Sequence, residues 1–194
     1  MKINTAKNST GFRLTLTVNE CAACEELPTN VTSLVLVGDE SVHYTIFDHL
    51  KSLLENSNVV ELQIDGLALP TDFKFPENLI ALDISTTFPI IDHAKFAESL
   101  PRGLKHLIVA VPQCGRTGET KDVLKNLPGG LLTLHLFWCG TNLSHADLDK
   151  IPSTVTDFKS WWYGEFPTGS LLWSLVPSSV KKVTLGNDHH YVRN

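Results

Sequence analysis

At 194 residues, with 42% apolar and 19% charged side chains, the chain has the composition of one folded domain with a sizeable core, not of a disordered segment. A formal net charge of −5, with no basic run longer than Lys181-Lys182, argues against a nucleic-acid or anionic-membrane surface. No stretch reaches the ~20 apolar residues that span a bilayer; Met1–Thr5 lacks the apolar core of a signal peptide, and four cysteines are too few for a disulfide scaffold, so a cytoplasmic chain with free thiols is expected.

In chain order, Leu14-Thr15-Leu16 reads as an opening strand within an N-terminal cap at 1–27. Cys21-Ala-Ala-Cys24 has the spacing of half a zinc site. Cys114 and Cys139 lie too far along the chain to complete it, so no metal and no cofactor are expected. One phrase then recurs: an apolar residue, Pro, two polar or small residues, an apolar residue, two variable residues and an apolar-x-apolar strand. It begins at Leu27-Pro28, Phe75-Pro76, Leu100-Pro101, Leu127-Pro128, Ile151-Pro152 and Val176-Pro177. The prolines from Pro76 on are about 25 residues apart, and Pro28 lies two periods earlier. A degenerate copy, Val59-Val-Glu-Leu62-Gln-Ile64, fills that gap, with Asn56 where proline would fall.

The apolar-x-apolar triplets predict short strands whose flanking residues face inward and whose middle residue faces out. Proline, which has no N–H to donate, suits the start of a strand or the loop leading in. Between strands, Ser41–Glu55 shows helical spacing of Val42, Ile46, Phe47, Leu50, Leu53 and Leu54. Asp92–Leu100 and Lys121–Leu127 have the same character, and Ser144-His-Ala-Asp147 reads as a capping box. No such unit buries its own apolar face. Stacking buries a continuous core and gives an α/β solenoid, with one parallel sheet on the concave side and short helices or turns on the convex side. The expected organisation is a single repeat domain over 1–194, with about seven repeats at 28–188 and a C-terminal tail at 189–194 that carries a surface pair, His189-His190.

The phrase Pro-x-x-Leu-x-x-Leu-x-Leu resembles the leucine-rich repeats of bacterial effector proteins. Ile151-Pro-Ser-Thr-Val155 and Val176-Pro-Ser-Ser-Val180 are similar to the strand entries of FNIP-type repeats. The resemblance covers roughly residues 27–188. The Asn that forms a ladder after each strand in ordinary leucine-rich repeats is missing, as is the Phe-Asn of FNIP repeats. Both resemblances imply protein–protein interaction and not catalysis.

The register also predicts which side chains face outward. Glu61, Asp65 and Asp83 form an acidic patch in the middle of the sheet. His106, His135, Phe137 and Trp161, with Lys159 beside them, form an aromatic patch towards the C-terminal end. Exposed aromatic residues on a rigid sheet are typical binding anchors; the competing expectation is that they pack under a cap formed by Phe166–Val176. His106 and His135 could share a ligand or a proton, with Asp83 and Asp157 the nearest carboxylates. Gly115-Arg-Thr-Gly118 lacks the ending of a phosphate loop, and no catalytic motif appears. The reading is therefore an intracellular module, not an enzyme, that binds an unidentified protein partner, with no nucleic acid and no membrane. The alternative is a small-molecule-binding or hydrolytic solenoid with a His/Trp-lined pocket.

Overall fold

The recurring proline phrase is a turn. In a computed structural model, described over residues 6–8, 11–38, 45–67, 69–70, 73–86, 93–111, 124, 126–138, 148–160, 170–186 and 189–193, each phrase proline accepts, through its carbonyl, the N–H three residues on. Val31 donates to Pro28 at 2.9 Å, Leu79 to Pro76 and Leu104 to Pro101 at 3.1 Å, Leu131 to Pro128 at 3.3 Å, and Val155 to Pro152 and Val180 to Pro177 at 3.0 Å. The two polar or small residues of the phrase are the turn's central pair, which suits their short side chains. The degenerate copy replaces the proline turn with a serine: Ser57 Oγ donates to the Leu54 carbonyl at 2.9 Å and accepts from Val59 N–H at 3.3 Å.

Each of these seven turns delivers a strand, and three further strands flank the series, two before it and one after. In chain order the strands are β1 (Ala6–Asn8), β2 (Gly11–Thr17), β3 (Val31–Val37), β4 (Glu61–Asp65), β5 (Ala81–Thr86), β6 (His106–Val111), β7 (Thr133–Trp138), β8 (Asp157–Ser160), β9 (Lys182–Leu185) and β10 (His189–Val192). They form one sheet whose order is the chain order. Strands β2 to β9 are parallel, while β1 and β10 close the two ends as antiparallel neighbours of β2 and β9. The segment read as a C-terminal tail thus carries a strand: β10 pairs with β9 through all four residues, and Tyr191 packs against the core.

A second hydrogen-bond ladder joins successive units just before the strands. Single carbonyls each accept two consecutive N–H groups from the next unit: Val60 from Ile80 and Ala81, Ile80 from Lys105 and His106, and Lys105 from Leu132 and Thr133. Leu132 and Thr156 continue the series, so both lone pairs of each carbonyl are used. Turn side chains reinforce it. Asn58 donates to the Thr29 carbonyl at 2.7 Å, Asn78 to that of Val59 at 3.2 Å, and Thr154 to those of Gly129 and Leu131 at 2.8 and 2.7 Å. This polar stacking lies just before the strands. After β3 and β4, Gly38 and Gly66 stack: Gly66 has φ +68°, and a Cβ there would meet the Gly38 carbonyl at 2.9 Å.

The core follows from the rungs. Leu14, Leu34, Leu62, Leu82, Leu107, Leu134, Phe158 and Val183 lie side by side across the sheet, all buried. Helices described in full that contribute to the covering of this face are α1 (Val18–Ala22), α2 (Thr45–Glu55), α3 (His93–Ser99) and α4 (Ser170–Leu175). α2 and α3 fall within the two helical stretches anticipated at 41–55 and 92–100. α4 lies within the expected cap, with Leu172 and Val176 buried. The capping box at 144–147 and most of 121–127 lie outside the described residues. α1 was not anticipated, although Thr17-x-x-Glu20 is a capping box. Glu20 accepts from the Thr17 N–H at 2.9 Å, and this bond holds its carboxyl below the ordinary pKa. His49 of α2 ties α1 down by donating from Nε2 to the carbonyls of Cys21 and Cys24 at 3.0 and 2.8 Å.

A row of aromatic rings runs beneath β4 and β5. Phe47, Phe73, Phe75 and Phe96 meet edge to face, with centroids 5.6, 5.0 and 6.2 Å apart. Together with Leu67 and Leu69, Phe73 and Phe75 bring loop residues into the core between β4 and β5. The result is an α/β arrangement in which every strand lies against its neighbour in sequence.

Candidate functional site

The outward positions fall into rows as the period-2 alternation requires. One row is Arg13, Ser33, Glu61, Ala81, His106, Thr133, Asp157 and Lys182; the next is Thr15, Val35, Gln63, Asp83, Ile108, His135, Lys159 and Thr184. Most are exposed or half-buried. Ser33, Val35 and Thr184 are buried instead. Arg13 reaches over β3 to donate to Gln63 Oε1 at 2.6 Å, roofing Ser33 and Val35, and Thr184 Oγ1 meets His190 Nδ1 at 3.1 Å. The third row is interrupted. The register shifts between β4 and β5, so Asp65 pairs with Thr86 and not Ser85, whose N–H is taken by Asp83 Oδ1 at 3.0 Å.

Two groups of side chains result, divided differently from the sequence expectation. The first is a shallow depression of about 180 Å³ between β2 and β6, lined by Arg13, Ser33, Glu61, Gln63, Asp83 and His106, with Ile108 as an apolar wall. His106 thus joins the acidic residues and not the aromatic patch. Its Nδ1 lies 3.1 Å from Thr133 Oγ1, and it stands one row away from His135, which is opposite Ile108. Asp65 lies outside the lining of this depression.

The second group occupies β7 to β9. Lys159 Nζ sits 5.4 Å from the centre of the Phe137 ring, a cation–π contact. Asp157 stands between Lys182 Nζ at 3.2 Å and His135 Nε2 at 3.7 Å. The latter distance is too long for a hydrogen bond, and among the described residues both His135 Nε2 and Asp157 Oδ1 are buried without a partner. Burial holds the His135 pKa below the ordinary histidine value; the Asp157 carboxylate opposes this shift, and Lys159 and Lys182 add to it. Trp161, with Trp162 and Tyr163, lies outside the described residues.

Compared with known protein families, with curated proteins and with solved structures, the chain finds no match. The chemistry of the site therefore rests on its own geometry. His135 and Asp157 provide an imidazole beside a carboxylate, but their contact is too long to orient a general base. Among the described residues, no group of three His, Cys, Asp or Glu side chains is placed to hold a metal ion. Cys21 and Cys24 are free thiols, and burial and the nearby Cys24 push the Cys21 pKa up to about 11, so its thiol is protonated near neutrality. No helix among the described residues is long and apolar enough to cross a membrane.

A histidine with a depressed pKa binds fewer protons folded than unfolded, so its contribution to stability is present above the ordinary pKa of about 6.5 and is lost as the pH falls through the folded value. Urea midpoints of the wild type and His135→Gln, measured from pH 7.5 to 5, are expected to converge on acidification. A gap that stays constant or widens towards pH 5 would mean that protonated His135 is held by Asp157 and that burial does not dominate.

Proposed function

We propose that the chain is a leucine-rich-repeat-like solenoid of the cytoplasm that binds a protein partner through the outward, concave side of its sheet and adjoining loops, and that it is not an enzyme. The observation carrying this reading is the run of eight neighbouring parallel strands, which offers rows of exposed and half-buried side chains on one side. Parallel sheets are ordinarily covered on both sides, so an open one calls for an occupant. Phe137, Lys159, His135 and Asp157 at one end, and Glu61, Asp83 and His106 at the other, are fixed by strands before contact, which limits the entropy lost on binding. Asp65 extends the same face on β4.

The alternative, a small-molecule or hydrolytic pocket, receives less support. The depression between β2 and β6 is smaller than the ~300–1,000 Å³ of ordinary ligand pockets, and His106 and His135 face different groups. The test is photo-crosslinking in the native cell, with a photoreactive residue placed singly at Thr15, Ile108 or Lys159 on the sheet and at Lys51 or Glu98 on the helices. One partner band from sheet positions alone is expected, and Phe137→Ala is expected to weaken that complex by about 2 kcal/mol, roughly thirtyfold. Crosslinks from the helix positions alone would move the interface to the other side of the molecule.

A further inference from the structure

We propose that Cys21 and Cys24 are a redox-active dithiol, which a small disulfide of the glutathione class converts into an intramolecular disulfide. The two free thiols sit at the end of α1, where the Cys24 N–H donates to the Cys21 carbonyl at 3.1 Å. A turn of this kind keeps its first and last Cα atoms within ~7 Å, and disulfides ordinarily bridge Cα atoms ~4.4–6.8 Å apart. The bond can therefore form with little movement of the backbone. His49 of α2 clamps the same turn, with Nε2 lying 3.0 Å from the Cys21 carbonyl and 2.8 Å from that of Cys24. The entropy of bringing the two cysteines together is thus already lost before an oxidant arrives. His49 acts here as a positioning residue.

The two sulfurs differ in access. Cys21 is wholly buried in the core, whereas Cys24 is half-buried, and its thiol donates to the Glu26 carbonyl at 3.1 Å. Cys24 is therefore the entry sulfur. Its thiolate attacks the small disulfide, breaking the S–S bond and releasing one thiol. Cys21 then gives up its proton and attacks the Cys24 sulfur, forming the Cys21–Cys24 bond and releasing the second thiol. Two protein thiols lose two electrons and two protons, and the small disulfide gains them as two thiols. The high pKa of Cys21, about 11, slows both directions. Little Cys21 thiolate is present near neutrality, so closure is slow. Reduction starts at the accessible Cys24 sulfur and must expel Cys21, a poor leaving group, so the disulfide outlasts the oxidant. In a reducing compartment such a pair registers a period of oxidation. The outward rows of the sheet do not include it, so the inference stands apart from the partner-binding reading.

The experiment equilibrates the full chain with mixtures of reduced and oxidised glutathione, quenches it with acid, and weighs the tryptic peptide 14–51, which contains Cys21 and Cys24 and no other cysteine. The expected product is that peptide lighter by two hydrogens and restored by excess reduced glutathione. Cys21→Ser is expected to stop at a persistent glutathione adduct on Cys24. The equilibrium constant for the disulfide is expected to be at least about tenfold higher in the native chain than in urea. His49→Phe, which removes the clamp, is expected to lower the native constant about tenfold, or about 30 mV for a two-electron couple. Closure of the mixed disulfide is expected to quicken about tenfold per pH unit between pH 7 and 9. A glutathione adduct that persists on wild-type Cys24, no reaction, pairing of either cysteine with Cys114 or Cys139, or equal constants in the native and unfolded chain would each overturn the inference. The comparison with urea needs no variant, so it stands even if His49→Phe disturbs folding. A constant unchanged by His49→Phe would overturn the part given to the clamp.

Discussion

Replacing Phe158 by Ala is expected to lower the free energy of unfolding by about 3–5 kcal/mol, whereas replacing Ser160 by Ala, two residues along the same strand, is expected to raise it by about 1 kcal/mol. Both side chains point into the core from β8. Phe158 is 1% exposed and occupies the rung held by leucine in most other strands, between Leu134 and Val183. Truncating it removes most of a ring from water-free contact and leaves a cavity that the hydrogen-bonded rungs on either side cannot collapse to fill. Ser160 is wholly buried at the rung where the neighbouring strands carry Leu136 and Leu185, and among the described residues its hydroxyl has no hydrogen-bond partner. Alanine keeps its volume and removes an uncompensated polar group, so the sign reverses. Urea denaturation of the two variants reads both values. A loss of more than ~1 kcal/mol on Ser160→Ala would mean that the hydroxyl is in fact bonded.

Phe73→Ala is expected to cost a similar 3–5 kcal/mol, for a different reason. Phe73 lies on a connecting segment and not on a strand, yet its ring meets both Phe47 and Phe75 edge to face. Its removal breaks the aromatic row in the middle and detaches α2 from the lead-in to β5. A double-mutant cycle with Phe75→Ala is expected to show a coupling of about 0.5–1.5 kcal/mol, the range for well-placed aromatic pairs. Additive losses would show that the two rings merely fill space side by side. A Phe73→Ala cost below ~1 kcal/mol would mean that the segment rearranges freely to close the gap.

The strand ladder was legible in the sequence because proline and leucine mark it directly. The rung leucines have no alternative use, and one phrase repeated in register determines which side each residue faces. Leu82, Leu107 and Leu134 accordingly lie on neighbouring strands. What escaped was set by contacts that no periodicity encodes. The pairing of β10 depends on the antiparallel return after Gly186, whose φ is +63°. The grouping of His106 with Glu61 and Asp83 depends on which way side chains lean across adjacent strands. Arg13 and Gln63, 50 residues apart, read as unremarkable polar residues until their hydrogen bond brings them together over Ser33 and Val35. The shift between β4 and β5 that separates Asp65 from the acidic group is one residue long, beneath the resolution of a repeat whose own spacing varies by more. Nor was the pairing of Lys182 with Asp157 legible, since a lysine on a strand end is most often simply solvated.

Because strand order equals chain order, no segment waits for a distant one before it can dock. Each new unit closes a loop of about 25 residues onto a template already in place, so the entropic barrier to closure stays small and nearly the same at every step. A ribosome delivering the chain from its N-terminus would therefore hand over one dockable unit at a time, each presenting the carbonyls that the next requires. Until β10 arrives, the growing end exposes a parallel edge; the antiparallel β10 covers the edge of β9 and becomes the outer strand in its place.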